Sequence, residues 1–176
     1  MGDLYLFVYF YSTNILSNGA YNYSGDRMNF KKLVVSILIP LGLGFITSLL
    51  IKTDIYGEIV KPELSPPKIV FPIVWSVLYI LLGVSNYIIN KDRKEETANL
   101  IYYIGLAINL IWPFIFFNAR EYLLALIWLL LLIFFVILMV IEYFRKNKLA
   151  GYLQIPYLIW LLFAFYLNYN VFILNR

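Results

Sequence analysis

Trp75, Tyr79, Asn109, Trp112 and Trp160 are the residues of this chain whose types and spacing suit recognition chemistry. Flat aromatic faces hold a flat apolar ligand, and a few amide or hydroxyl groups fix its orientation. Phe71, Trp75 and Tyr79 are spaced by four and share one helical face. Asn109, Trp112 and Phe116 follow at i, i+3 and i+7. Trp160, Ala164, Leu167 and Asn168 form a third stripe with one wide aromatic, one small gap and one polar end, and Phe163 lies beside it. Each stripe has two readings. Trp75 is a packing aromatic or a cavity wall. Asn109 is interhelical glue, worth about 0.5–2 kcal/mol, or a polar group facing a ligand. Pro113 cannot donate to the carbonyl of Asn109, which adds a polar group on that turn.

Several chemistries are excluded. The chain has no Cys and no His, so disulfides, Cys/His metal centres, His-ligated haem and His general-base catalysis are out. No metal ligand set and no resident cofactor is expected. The predicted spans hold almost no ionisable side chain. Glu142 is the exception, and it is expected to reach water from a span end. Ion pumps and channels keep charges within the membrane, so the pattern argues against them.

Long apolar helices must position these residues. The 176 residues are 62% hydrophobic, with mean hydropathy +0.79, well above the roughly 45–50% apolar content of soluble domains. The apolar runs approach the ~20 residues that cross a bilayer. The expected fold is all-α, an integral membrane bundle of five transmembrane helices, spanning about 33–51, 67–90, 99–117, 122–141 and 152–174. Pro67 suits the first turn of the second span. The short Asn118–Glu121 turn makes spans three and four antiparallel neighbours. Residues 1–27 are expected to be an extension outside the core, and 28–176 the membrane domain. Pro62, Pro66 and Pro67 stiffen the first loop into a cover over a cavity.

Charge sets the expected topology. Arg27, Lys31, Lys32, Lys91, Arg93, Lys94, Arg145, Lys146 and Lys148 fall on one side, and Lys52, Lys61, Lys68, Arg120 and Arg176 on the other. The positive-inside rule then places the N-terminus in the cytoplasm and the proline loop outside. The net charge of +4 reflects this loop bias, with no nucleic-acid partner implied.

Three blocks resemble the TspO/MBR family of tryptophan-rich sensory and translocator proteins. They are Lys61-Pro62, Pro66-Pro67 and Phe71-Pro-x-x-Trp75-x-x-x-Tyr79-x-x-x-Gly83, then Asn109-x-x-Trp112-Pro113-x-x-Phe116-Phe117-x-Ala119-Arg120, then Pro156-Tyr157-x-x-Trp160-x-x-Phe163-Ala164 with Leu167-Asn168-Tyr169. The resemblance implies a homodimer and a membrane-embedded cavity for protoporphyrin IX, another tetrapyrrole or a sterol-like ligand. It implies Tyr56 as a ligand contact in the first loop, and light-dependent porphyrin breakdown at Trp75 and Trp160. Transport of tetrapyrroles or sterols is the further alternative. The small-residue side of span three near Gly105 is the expected dimer surface. A bacterial cell membrane is the expected location, the mitochondrial outer membrane the alternative. The chain departs from the family at Glu63-Leu64-Ser65, where a Trp is usual, at Leu110, and at Trp128, which replaces a frequent Asp and joins the expected ligand wall. No basic residue follows Tyr169 closely enough for the proposed cholesterol pattern.

Overall fold

The computed structural model describes residues 29–52, 57–92 and 94–176. Tyr56 and the 1–27 segment, both singled out above, lie outside them. Five helices follow in order: α1 (Phe30–Leu50), α2 (Val70–Asn90), α3 (Glu96–Pro113, extended by a π-turn over Phe114–Asn118), α4 (Tyr122–Lys146) and α5 (Lys148–Leu174). Each is long and apolar enough to cross a membrane, and the described residues contain no strand. The chain is an integral membrane protein. Backbone polar groups find no water within a bilayer, so helices that satisfy them internally are the fitting solution.

Local chemistry sets the ends. Asn29 caps α1, its Oδ1 accepting from Lys32 N at 3.1 Å. Asn147 alone separates α4 from α5. Its extended backbone (φ −153°, ψ 119°) breaks the helix, and its side chain accepts from Ala150 N at 3.2 Å. Arg145 and Lys146, expected in a turn, close the last turn of α4, where cations complement the helix dipole. Helix α2 starts at Val70 rather than Pro67. Pro67 instead opens a turn, its carbonyl accepting from Val70 N at 2.9 Å.

The helices pack in the ring order α1–α2–α5–α4–α3. Helices α3 and α4 are neighbours, as the short turn requires. Helices α2 and α3 are also joined by a short link, yet they scarcely touch and face each other across the bundle. The α1–α2 seam is close because Gly83 has no side chain. A Cβ there would come within 2.5 Å of Ile37 Cα and Ser36 O. Gly44 of α1 backs the ring of Tyr79 in the same way. Gly105 does not offer an outer surface. It is buried, and Phe135 of α4 lies 3.9 Å from where its Cβ would be. The main core runs through α2 to α5 with Leu78, Leu82, Leu106, Leu129, Val136 and Leu161.

The end near Asn90 is stitched with polar side chains. Asn90 Nδ2 donates to Asn86 Oδ1 (3.0 Å) and Asn99 Oδ1 (2.9 Å). Its Oδ1 accepts from Glu95 N (3.1 Å) and Asn99 Nδ2 (2.7 Å). Tyr143 donates to Asn86 Oδ1 at 3.3 Å. Glu142 does not stand free in water. It is buried, paired with Arg145 at 3.2 Å and near Lys146 at 3.8 Å, while Lys146 also meets Glu95 at 2.8 Å.

Candidate functional site

The gap between α2 and α3 is bridged at one level by a chain of three side chains. Tyr79 Oη of α2 donates to Asn109 Oδ1 of α3 at 2.9 Å. Asn109 Nδ2 donates to Tyr157 Oη of α5 at 2.5 Å. Asn109 is 3% exposed. Both ends of its amide are engaged within the protein, so it acts as glue, and the three side chains make the floor of the candidate site. Tyr79 and Asn109 both lie roughly 13 Å below the loop ends of their helices, at 1.5 Å per residue.

Aromatic rings climb from this floor toward the loop. Trp75, one turn above Tyr79, lies against Tyr79 (centroids 5.5 Å, 32°) and edge-on to Tyr157 (6.2 Å, 71°). Phe71, a further turn up, stands edge-on to Trp160 at 6.0 Å. Trp160 tilts over Phe163 at 5.5 Å. On the α3 side, Trp112 stacks on Phe116 at 5.0 Å, and its indole N–H donates to Asn168 Oδ1 at 3.3 Å. Asn168, 1% exposed, also donates to the Tyr122 carbonyl at 3.0 Å, which ties α3, α4 and α5 together. Leu167 is buried beside it, and Ala164 packs against the main core.

The loop between α1 and α2 closes over this end. Ile59 is buried with Phe116, Ala125 and Val171. Val60 and Asn175 exchange two hydrogen bonds, Val60 N to Asn175 Oδ1 and Asn175 Nδ2 to Val60 O, each 2.9 Å. Asn118, at the end of the π-turn, accepts from Lys52 N at 2.8 Å and donates to Leu50 O at 3.2 Å. Arg120 sits at φ 60° and pairs with Glu58 at 3.0 Å.

Trp75, Tyr79 and Asn109 thus form one contact chain through Tyr157, and Phe71, Trp160 and Phe163 form a second. Trp112, Phe116 and Leu167 form a flank along Asn168. Trp128 packs against the same core as Trp75, Trp112 and Trp160. Its indole N–H donates to the Ile108 carbonyl at 2.8 Å, which fastens α4 to α3. Tyr157 and Asn168 were absent from the expected binding set. Their signal was in the sequence: Tyr157 lies one turn before Trp160, and Asn168 one turn after Ala164. What the spacing did not contain was the identity of their partners on other helices.

Comparison with known proteins identifies the family. The TspO/MBR family model matches residues 36–174. The chain is 33% identical over 153 residues to the tryptophan-rich protein TspO of Archaeoglobus fulgidus, covering 84% of this chain and 99% of that one. It is 31% identical to the tryptophan-rich sensory protein of Cereibacter sphaeroides over 81% of this chain and 91% of that one. It is 36% identical to the human translocator protein over 66% of this chain and 72% of that one. With five spans, the three aromatic stripes and matches along most of its length, the chain belongs to the TspO/MBR family.

Proposed function

We propose that this protein binds protoporphyrin IX, or a similar planar hydrophobic molecule, between α2, α3 and α5 beneath the α1–α2 loop, and that it acts as a sensor. The observation that carries the reading is the Tyr79–Asn109–Tyr157 floor, which joins α2, α3 and α5 at a level away from the Asn90–Asn99 contact of α2 with α3, with Trp75 set directly above it. A gap of this kind accepts a flat guest, and the rings of Trp75, Trp112 and Trp160 give it walls. The sensing protein of the reading is a homodimer with its N-terminus in the cytoplasm. The open face of α3, with Leu100, Tyr103, Ala107 and Ile111 exposed, replaces the Gly105 side as its dimer surface.

Titration with protoporphyrin IX in nanodiscs, in the dark, tests the binding. Saturable quenching of tryptophan emission is expected, weakened in the Trp75→Phe/Trp160→Phe protein. Binding indifferent to both tryptophans would remove the site from consideration.

A second reading is light-dependent breakdown of the porphyrin by dioxygen. It is favoured by Trp75, whose indole packs between two tyrosines beside the proposed guest. There it would give an electron to the excited macrocycle. Under illumination, the double Phe protein should retain bound porphyrin without consuming it. Undiminished loss of the porphyrin band in that protein would eliminate this reading.

A further inference from the structure

Trp160 differs from the other tryptophans in one respect. Its Nε1 is buried and has no hydrogen-bond partner among the described residues. Trp112 and Trp128 each donate, to Asn168 Oδ1 and to the Ile108 carbonyl. An indole N–H can only donate, and a buried donor left unpaired destabilises the fold. Phenylalanine would fill much of the same space between Phe71 and Phe163 without that penalty. Packing therefore does not account for an indole at this position.

We propose that Trp160 Nε1 donates a hydrogen bond to an acceptor on the bound ligand, a carbonyl or carboxylate oxygen at the edge of a flat apolar body. This deepens the reading of the site above and rests on it. Trp75 then supplies a ring face and Trp160 a directed polar contact. The position suits a peripheral carboxylate. Trp160 packs against Phe71, the second residue of α2, next to the loop and so on the mouth side of the floor. A carboxylate is far less costly near a helix end than at mid-membrane. A ligand that is hydrocarbon throughout would leave the donor unpaired.

The same acceptor chemistry exists in the ester carbonyls of lipids, and the flanking Ile159 and Leu162 are exposed toward the bilayer. The test separates the two sources. Dark titrations in nanodiscs would compare protoporphyrin IX with etioporphyrin, which keeps the macrocycle but carries alkyl groups alone. Wild-type protein should prefer protoporphyrin IX by about tenfold or more. Trp160→Phe should lose most of that preference, weakening protoporphyrin IX several-fold more than etioporphyrin. Trp75→Phe should weaken both porphyrins alike. Equal weakening of both porphyrins by Trp160→Phe, or no weakening, overturns the proposal. Should Trp160→Phe not fold, hydrogen exchange at the assigned Trp160 indole of wild type carries the test. Exchange slowed by protoporphyrin IX but not by etioporphyrin supports the proposal, and equal slowing overturns it. An indole cross-peak in ligand-free protein that differs between ester- and ether-linked phosphatidylcholine would assign the acceptor to lipid and overturn it as well. If neither porphyrin saturates wild type, the site reading itself fails and takes the proposal with it.

Discussion

The two ends of this bundle handle polar side chains in opposite ways. Near Asn90, amides, a tyrosine and ion pairs satisfy one another within a few residues and draw α2, α3 and α4 together. Toward the loop, single polar groups are spread among rings, and Asn109 reaches both ways to hold two tyrosines across a gap. One arrangement fixes helices in contact. The other holds them at a distance. On the proposed reading, fastening at the Asn90 end lets α2 and α3 admit a guest at the other.

Substitutions can break or sharpen this contrast. Gly83→Ala is expected to have the largest effect. Its methyl has backbone atoms of α1 in its way, and overpacking of this kind costs up to about 3 kcal/mol. Since α1 also backs Tyr79, thermal stability in detergent and porphyrin affinity should fall together. Asn90→Ala should separate the two properties. It removes the oxygen that accepts from Glu95 N and Asn99 Nδ2 and should lower stability by about 2 kcal/mol, with affinity little changed. Asn109→Ala should do the reverse. Membrane hydrogen bonds of this kind average about 0.6 kcal/mol each, so a modest stability loss should accompany a roughly tenfold loss of protoporphyrin affinity as the floor loosens. Arg120→Gln should matter least. Its pair with Glu58 has both side chains more than half exposed, and such pairs contribute less than about 1 kcal/mol. A clear affinity change from this substitution at high salt would show that the loop depends on more than the pair.

Much of the loop end was legible in the sequence. Hydropathy located five spans, and helical spacing gathered Phe71, Trp75 and Tyr79 on one face and Asn109, Trp112 and Phe116 on another. Ring order was not legible. A five-residue link between α2 and α3 looks like any hairpin connection, and only the packing of α5 between α2 and α4 shows that these helices do not pair. Asn86, Asn90 and Asn99 escaped notice for a related reason. Amides at span ends read as solvated, and their mutual geometry appears only when two helix ends converge. The partner of Trp128 was not legible, because a residue type standing at a family position says nothing about which carbonyl its N–H finds. Tyr157, quoted among the family blocks, became a site residue only once Asn109 was seen to donate to it.

The π-turn at Phe114–Asn118 closes through Ala119 N to Phe114 O, five residues back. It accommodates one more residue per turn than regular winding does, and each residue advances an α-helix by about 100°. It therefore acts as a phase shifter. Upstream, Asn109 and Trp112 keep time with α5; downstream, Asn118 keeps time with the loop through Lys52 and Leu50. Deleting a single residue within the turn should restore regular winding and leave Asn118 facing both backbone partners, whereas a deletion in the regular part of α3 would turn Asn118 away from them by about 100°. One codon at this point is thus slack: the chain can lose it and still keep the cover of the site in step with the floor and walls.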